Sequence, residues 1–281
     1  MRDSGESVAL GHTLRANSPT QRANLSKLTV VKVSAIQHDI LRQDQKANFA
    51  RLSAMIRGAA GVGAKLIALP EHFGTGGRIM PGATEPDDGP TVAFLRETSS
   101  ANSAWICGSV ATKVGDTIAT TLLLVGPDGT VHRSLQPPPG GAVDAPAVPA
   151  TYEIDDLRVT PIAGSALYDP SVFWNVAVDT DVFVVCGNEP ESRRHAWRTL
   201  LAARAIENQC YVVGVNRVGS DGNQTYVGDS RIVDPMGAML TSGWGAETVL
   251  FAELESALVR FTRDRSPLIE NDRRGAVIKL P

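Results

Sequence analysis

Acidic, imidazole and thiol side chains that follow apolar, strand-like runs are the groups in this sequence best suited to chemistry. Glu71 and His72 follow one such run, and Cys186 ends another that continues into Asn188 and Glu189. A carboxyl or imidazole group in such a position can accept or donate a proton, and a thiol can attack an electrophilic carbon. These residue types indicate acid–base or nucleophilic chemistry on a small molecule.

The stretch RVTPIAGSALYDPSVFWNVAV (158–178) has the pattern of a strand, a Gly-Ser turn and an apolar helix. Many α/β enzymes hold a nucleophile at such a turn. Here Gly164 has no side chain and Ser165 follows it, while Tyr168 and Asp169 could reach a site at the same turn. Ser165 is an alternative nucleophile at this turn. A serine needs a strong base beside it, however, and no Ser–His pair is evident from the sequence.

The composition of the chain argues against several classes of function. The chain has 281 residues, of which 43% are hydrophobic and 20% are charged, as is typical of a globular domain with a sizeable core. The net charge is -3 and no basic stripe is present, so we expect no nucleic-acid partner. Three cysteines without framework spacing predict a reduced, cytoplasmic protein. The histidines lack metal-ligand spacing, and we expect no metal or other cofactor.

The order of elements predicts the fold class. Residues 1–27 are polar and predict a flexible N-terminal extension without a secretory signal, and no run is long and apolar enough to span a bilayer. Strands and helices then alternate before a series of hairpins, with a strand at 28–37 and a strong helix at 191–209. This order favours a layered α/β sandwich in a single domain, residues 28–281. The Pro-rich stretch 136–149 predicts a loop or lid.

Five segments, in the right order, resemble motifs of the nitrilase superfamily, the carbon–nitrogen hydrolases. They are LIALPEHFGTGG, LLVGPDGTVHRS, RTLLAARAIENQCYVVGVNRVG, GDSRIVDPMG and RDRSPLIENDRR. The third segment is the most specific, because its Arg-Ala-Ile-Glu-Asn core is highly characteristic. The resemblance covers roughly residues 28–275. It implies an αββα sandwich that usually dimerises into an αββα–αββα stack, so we expect a homodimer or a higher oligomer.

The same resemblance implies a Glu–Lys–Cys catalytic triad. In that family a cysteine thiolate attacks the amide or nitrile carbon. The glutamate carries the proton from the thiol to the leaving nitrogen. The lysine and a backbone N–H hold the negative charge that develops on the substrate. Glu71, in ALPEHF, matches the family's glutamate residue for residue and is interpreted as a general acid/base.

The lysine of this triad is missing from the sequence. No lysine occurs between residues 114 and 278, whatever alignment is chosen. The stretch HRSLQPPPGG offers Ser134, Gln136 or Pro137 in its place, according to where a gap is put. Arg133 is the nearest cation and could contact an oxyanion, although an arginine is not interchangeable with a lysine.

The cysteine of the triad is missing as well. Its position falls on Gly164, or on Ala163 if a one-residue gap is placed elsewhere, and neither residue can attack a substrate. Cys186 ends the next strand and should border the same pocket, so it is an alternative nucleophile, although a lone cysteine is more often a buried structural residue. Cys107 and Cys210 are predicted to be core residues.

Other pocket residues are implied by their position in the resembled fold. His72 could act as a base or could cap the loop that holds Glu71. Asn188 and Glu189 lie where the family places groups that contact substrate. Glu189 would either bind a cationic or donor-rich ligand or be solvated. The predicted ligand-binding residues are His72, Arg133, Gly164, Ser165, Tyr168, Asn188 and Glu189.

Three functions remain open at this point. The first is a repurposed protein that binds or transforms a small amide- or amine-bearing molecule without a cysteine thioester, with Glu71 as general acid/base. The second is a catalytically silent subunit that pairs with an active relative. The third is a carbon–nitrogen hydrolase with a relocated nucleophile, Cys186 or Ser165. Retention of Glu71 favours the first function, and loss of both lysine and cysteine argues against the third.

Overall fold

Two β-sheets pack face to face, with helices on their outer faces, in the computed structural model of the chain. The structure describes residues 29–76, 84–136 and 148–269. This architecture confirms the predicted αββα sandwich. The predicted extension 1–27 and all but the ends of the Pro-rich stretch 136–149 lie outside the described residues.

The first sheet has six strands in the order β13-β1-β2-β3-β4-β5. Its strands are β1 Val30–Gln37, β2 Leu66–Ala68, β3 Trp105–Val114, β4 Thr117–Val125, β5 Val131–Gln136 and β13 Thr248–Glu255. The central strands β1, β2 and β3 are parallel, and the remaining pairs are antiparallel. The carboxyl ends of the three parallel strands therefore meet at one edge, where Glu71 follows β2.

The second sheet has seven strands in the order β10-β11-β9-β8-β7-β6, with β12 paired to β11. Its strands are β6 Tyr152–Ile154, β7 Leu157–Ala163, β8 Val182–Cys186, β9 Tyr211–Val215, β10 Val218–Asp221, β11 Gln224–Val233 and β12 Met239–Trp244. Strands β7, β8 and β9 are parallel and end in register at Ala163, Cys186 and Val215. The residues that follow these three ends are consequently neighbours.

Five helices complete the described fold: α1 Gln45–Gly61, α2 Pro90–Asn102, α3 Pro170–Trp174, α4 Arg194–Asn208 and α5 Ser256–Arg265. Local sequence explains their ends. Asp44 caps α1 by accepting the N–H of Ala47 at 3.1 Å. Pro90 stands at the start of α2, where its missing N–H costs nothing. Within the described ranges, no helix has the length and apolarity needed to cross a membrane.

Apolar residues fill three layers of core. One cluster lies between the sheets, one lies beneath α1 and α2, and one lies beneath α3 and α4. Side chains along β1 alternate between the two faces of the sheet, which explains the first two clusters. Val31, Val33 and Ala35 face the opposite sheet, while Ile36 faces the helices. Both sheets are therefore buried on two faces, which leaves the strand ends as the place for polar groups.

Two features of the strands depend on more than the local sequence pattern. The run CYVVGVNRVG is not one strand, because β9 ends at Val215 and β10 begins at Val218, with buried Asn216 and Arg217 between them. Strand β13 does not extend the second sheet after β12. It crosses to the first sheet and pairs antiparallel with all eight residues of β1.

Candidate functional site

Glu71 lies where the two sheets meet at the ends of their parallel strands. The chain leaves β2 with the N–H of Leu69 bonded to the carbonyl of Cys107 at 2.8 Å. The N–H of Glu71 then donates to the carbonyl of Gly187, at the end of β8, at 3.0 Å. His72 takes a left-handed backbone conformation (φ +50°), and its N–H donates to Ser109 Oγ at 2.9 Å. These bonds fix Glu71 beside the end of the opposite sheet.

The Glu71 carboxyl group stands in an unusual electrostatic environment. Burial raises its pKa from 4.5 to about 8, and the negative charge of Glu189 contributes to the same shift. Within the part of the chain that the structure describes, this carboxyl has no hydrogen bond and no ion pair. A carboxyl group with such a pKa is protonated at neutral pH and can donate a proton or a hydrogen bond.

The backbone at Gly164 leaves no room for a side chain. A Cβ atom there would lie 2.9 Å from Gly187 Cα and 3.0 Å from the carbonyl oxygen of Cys186. Both neighbours are backbone atoms of the adjacent strand end, so they cannot turn aside as a side chain would. The turn expected after β7 is present as a 3₁₀ helix, Gly164–Tyr168. Ser165 is exposed on it and has no base beside it among the described residues.

The Cys186 thiol lies in the core between the sheets. It is fully buried, and its Sγ is 3.8 Å from Sγ of Cys107 on the facing sheet. Its contact with Cys107 and its burial hold the pKa of the thiol well above the usual range. A protonated thiol is a poor nucleophile, so this environment weighs against the predicted alternative. Cys107 and Cys210 are fully buried, which confirms that both are core residues.

Glu189 is the second carboxylate near Glu71. Its Oε2 accepts a hydrogen bond from the Tyr168 hydroxyl at 3.1 Å and lies 3.6 Å from Arg193 Nη1. Burial raises the pKa of Glu189. Burial, with the adjacent Glu189 charge, also raises the pKa of Tyr168 to about 12, so that hydroxyl remains a donor. The structure thus joins Tyr168 to Glu189, whose negative charge acts on Glu71.

Asn216 fixes the backbone of Glu189 and was not singled out from the sequence. Its Oδ1 accepts the N–H of Glu189 at 2.9 Å, and its Nδ2 donates to the carbonyl oxygens of Glu189 at 3.0 Å and of Gly228 at 2.8 Å. The side chain is nearly inaccessible. The sequence signal for this role is a polar residue that interrupts an apolar strand run, as Asn216 does in VVGVNRVG.

His72 and Gln136 lie on the neighbouring part of the first sheet. His72 is buried, and its Nε2 is 3.1 Å from the hydroxyl of Thr120 on β4. Thr120 pairs with Gln136, the last residue of β5. Gln136 Nε2 donates to Ser134 Oγ at 3.3 Å, and these two residues share the face of β5 that lies towards the second sheet. Pro137 lies outside the described residues.

Arg133, a predicted ligand-binding residue, makes its contacts elsewhere in the structure. Its guanidinium donates to the carbonyl of Asp87 and to the Asp88 carboxylate, each at 3.0 Å. Because side chains alternate along a strand, Arg133 lies on the opposite face of β5 from Ser134 and Gln136. It is a surface residue that ties β5 to the segment before α2.

The assembled site is rich in acceptors and poor in cations. The negative charge of Glu189 acts on the Glu71 carboxyl, and the exposed Arg193 is the cation that contacts Glu189 in the described structure. Among those residues, no group of three histidine, cysteine or acidic side chains could hold a metal ion. The arrangement can exchange a proton with a bound molecule or bind a group rich in hydrogen-bond donors.

Comparison with known proteins gives one consistent result. The carbon-nitrogen hydrolase family model matches residues 32–264. The chain is 33% identical to omega-amidase YafV of Escherichia coli K12, over 84% of this chain and 94% of that protein. It is 31% identical to a 2-oxoglutaramate amidase of Paenarthrobacter nicotinovorans, over 81% of this chain and 84% of that protein.

A solved structure agrees in fold. The chain is similar to XC1258 of Xanthomonas campestris, a CN-hydrolase superfamily protein crystallised with an arsenic adduct in its active site. The TM-score is 0.79 and the sequence identity is 30%, and the match covers 87% of this chain and 97% of that one.

Proposed function

Because this chain belongs to the carbon–nitrogen hydrolase family, we propose that it keeps the family's small-molecule pocket but not its cysteine thioester chemistry. In this proposal it binds or transforms a small amide- or amine-bearing molecule, with Glu71 as the general acid/base. The similarity to omega-amidases supports an amide as one candidate ligand.

The close approach of the backbone at Gly164 is the observation that carries this proposal. A nucleophile at this position would need a Cβ atom, and Gly187 Cα and the Cys186 carbonyl occupy the space that it would need. The two alternatives have unsuitable surroundings, since Cys186 is a buried, protonated thiol and Ser165 is exposed without a base. A covalent acyl intermediate therefore has no attachment point in this proposal.

The missing lysine supports the same conclusion. Hydrolysis of an amide through a tetrahedral intermediate needs a cation or strong donors at the developing oxyanion. The chain has no lysine between residues 114 and 278, and Gln136 ends β5 on the face towards the second sheet. A neutral amide side chain donates a weaker hydrogen bond to an oxyanion than an ammonium group does.

Glu71 provides the chemistry that remains. With a pKa of about 8 it is protonated at neutral pH. It can donate a hydrogen bond to a ligand carbonyl or a proton to a leaving nitrogen. One positioned acid or base accelerates a reaction by roughly 10²–10⁴-fold. That acceleration suits an elimination, cyclisation or condensation better than hydrolysis of an unactivated amide.

The test measures binding and ammonia release side by side. The panel contains 2-oxoglutaramate, short aliphatic amides, nitriles and N-carbamoyl compounds, with wild type, Glu71→Gln and the exposed-site control Glu191→Gln. We expect binding that Glu71→Gln weakens by about tenfold, the cost of one hydrogen bond to a charged or polar group. We expect no ammonia release above that of Glu71→Gln.

Two outcomes contradict the proposal in different ways. Ammonia release that Glu71→Gln abolishes would establish a hydrolase with an unorthodox site, and Cys186→Ala and Ser165→Ala would then identify its nucleophile. No ligand whose binding depends on Glu71 would favour the silent subunit instead.

We also propose a homodimer, as is usual for the family fold. Exposed apolar side chains on β12, namely Met239, Leu240 and Trp244, support a self-association surface. Light scattering coupled to gel filtration gives the mass directly, and a monomer at all concentrations would refute the dimer.

A further inference from the structure

We infer that the pocket selects a ligand with a cationic, donor-only head group, an ammonium or an amidinium, which binds between the carboxyl groups of Glu71 and Glu189. This inference rests on the proposed function, since it names the class of molecule that the same site takes. It makes Glu189 the residue that determines specificity, while Glu71 remains the acid/base.

The hydrogen-bonding groups of the site point to this class of ligand. The Glu71 carboxyl has no partner within the described residues, and Glu189 Oε1 accepts no hydrogen bond there. The amide Oδ1 of Asn188, the residue before Glu189, is buried and also accepts none. With Glu71 ionised, all three groups accept hydrogen bonds, which matches an ammonium or amidinium that carries only N–H donors. A carboxylate offers no donor to them, and an amide carbonyl finds a donor in Glu71 only while that carboxyl is protonated.

The position of Glu189 is fixed before any ligand binds. Asn216 holds both its N–H and its carbonyl, and the hydroxyl of Tyr168 holds one carboxylate oxygen at 3.1 Å. The Glu189 side chain is 8% exposed. A carboxylate placed by buried partners costs little conformational entropy when a ligand binds, which is the condition for strong selectivity.

Arg193 does not neutralise the pair of carboxyls. Its guanidinium is 3.6 Å from Glu189 Oε2, longer than a hydrogen bond, and its side chain is 62% exposed. Because the arginine side of this ion pair is exposed, solvent screens the contact and a ligand can displace it. The lysine that accompanies the glutamate in the resembled family is missing from residues 114–278. Ionisation of Glu71 would therefore add a second negative charge beside Glu189 without a second cation among the described residues, and a cationic ligand would balance that charge.

Proton release gives this binding mode a distinctive pH dependence. The Glu71 carboxyl is protonated below about pH 8, and a cation favours its ionised form. Binding of a cation should then release one proton, and the affinity should rise with pH by up to about tenfold per unit until pH 8. A neutral amide that accepts a hydrogen bond from protonated Glu71 should instead lose affinity above pH 8.

The experiment uses three probes of one shape that differ in charge: butyramidine, butyramide and butyrate. Calorimetric or NMR titration of the full chain at pH 7.5 should show butyramidine binding about tenfold more tightly than either other probe. Glu189→Gln should weaken butyramidine by about tenfold and leave butyramide within about threefold. Glu191→Gln, an exposed acid two residues further along the chain, should change neither. Titration in two buffers of different ionisation enthalpy counts the released proton.

The outcomes separate this inference from the function on which it rests. Equal or tighter binding of butyramide or butyrate overturns the inference, as does an unchanged butyramidine affinity in Glu189→Gln. If Glu71→Gln still weakens butyramide in that case, the proposed function stands. If Glu71→Gln changes no probe, the proposed function fails and the inference fails with it.

Discussion

The space around Gly164 determines which side chains this position can accommodate. A glycine at a strand–turn junction is unremarkable as sequence, but here the ends of β7 and β8 approach too closely for any Cβ atom. A side chain at this position would require the end of β8 to move.

Replacing Gly164 by alanine should destabilise the protein by about 1–3 kcal/mol. The added methyl group meets backbone atoms at 2.9 and 3.0 Å, and such overpacking costs this amount. Urea denaturation gives the free energy of unfolding. Gly58→Ala is the control, because nothing lies within 4 Å of its Cβ position on α1, and it should be neutral or stabilising by up to about 1 kcal/mol. Equal effects of the two substitutions would mean that the end of β8 is free to move.

At the scale of elements, the three parallel strand ends of the second sheet form the base of the site. They end in register, so Gly164, Gly187 and Asn216 follow side by side. Asn216 occupies the gap between β9 and β10, and its side chain holds Glu189 and Gly228. The break in the strand is thus what allows one buried amide to join three segments.

Asn216→Ala should cost at least about 3 kcal/mol of unfolding free energy, because three buried backbone groups lose a partner, and it should also weaken any ligand that depends on Glu189. The substitution leaves buried backbone groups of Glu189 and Gly228 without partners, each at roughly 1–3 kcal/mol. Thermal unfolding and probe titration measure the two effects. Asn102→Ala removes a single hydrogen bond at the end of α2 and should cost within about 1 kcal/mol. A loss no larger than that of the control would show that Asn216 is dispensable.

Most helices and strands can be predicted from the sequence, because the apolar periodicity and turn residues that indicate them lie within the element itself. The predicted strand 28–37 corresponds to β1, which begins two residues later, and the predicted helix 191–209 corresponds to a short 3₁₀ turn followed by α4. Apolar alternation cannot reveal which distant strand pairs with β13. It also cannot reveal a clash at Gly164, which depends on the spacing of two strand ends.

The candidate site was predicted in part for the same reason. The match to family motifs, together with a position after a strand, pointed to Glu71 and Glu189, and parallel strand ends converge. The contacts of Arg133 depend on the face of β5 that it occupies, which a motif match does not reveal. Asn216 was missed because its role comes from hydrogen bonds to segments that are distant in sequence.

At the scale of the whole molecule, the end of β1 joins the two sheets. The Oε1 of Gln37 accepts the N–H of Ser230 at 3.1 Å, and the carbonyl of His38 accepts the N–H of Val218 at 3.1 Å. His38 is fully buried at this junction. Burial is the main reason that its pKa falls from 6.5 to about 4.

His38 should therefore make the whole fold sensitive to acid. The unfolded chain binds a proton on this ring below about pH 6.5, but the folded chain does not until about pH 4. The contribution of His38 to the free energy of unfolding is therefore fully present above pH 6.5. It is lost as the pH falls towards 4, by about 3 kcal/mol in total. His38→Met should remove this part of the pH dependence in denaturation measured from pH 7 to 4. The exposed His195→Gln is the control, and an unchanged slope in His38→Met would refute the assignment.

The pairing of β1 with β13 also has a consequence for how the chain acquires its structure. Residues 30–37 find their antiparallel partner only at residues 248–255. At a synthesis rate of about 5–20 residues per second, β1 waits roughly 10–40 s on the ribosome before that partner exists. During this interval its backbone N–H and C=O groups form an open edge that another nascent chain could pair with. The first sheet is begun early and completed late, so its assembly is the step of biogenesis most exposed to aggregation.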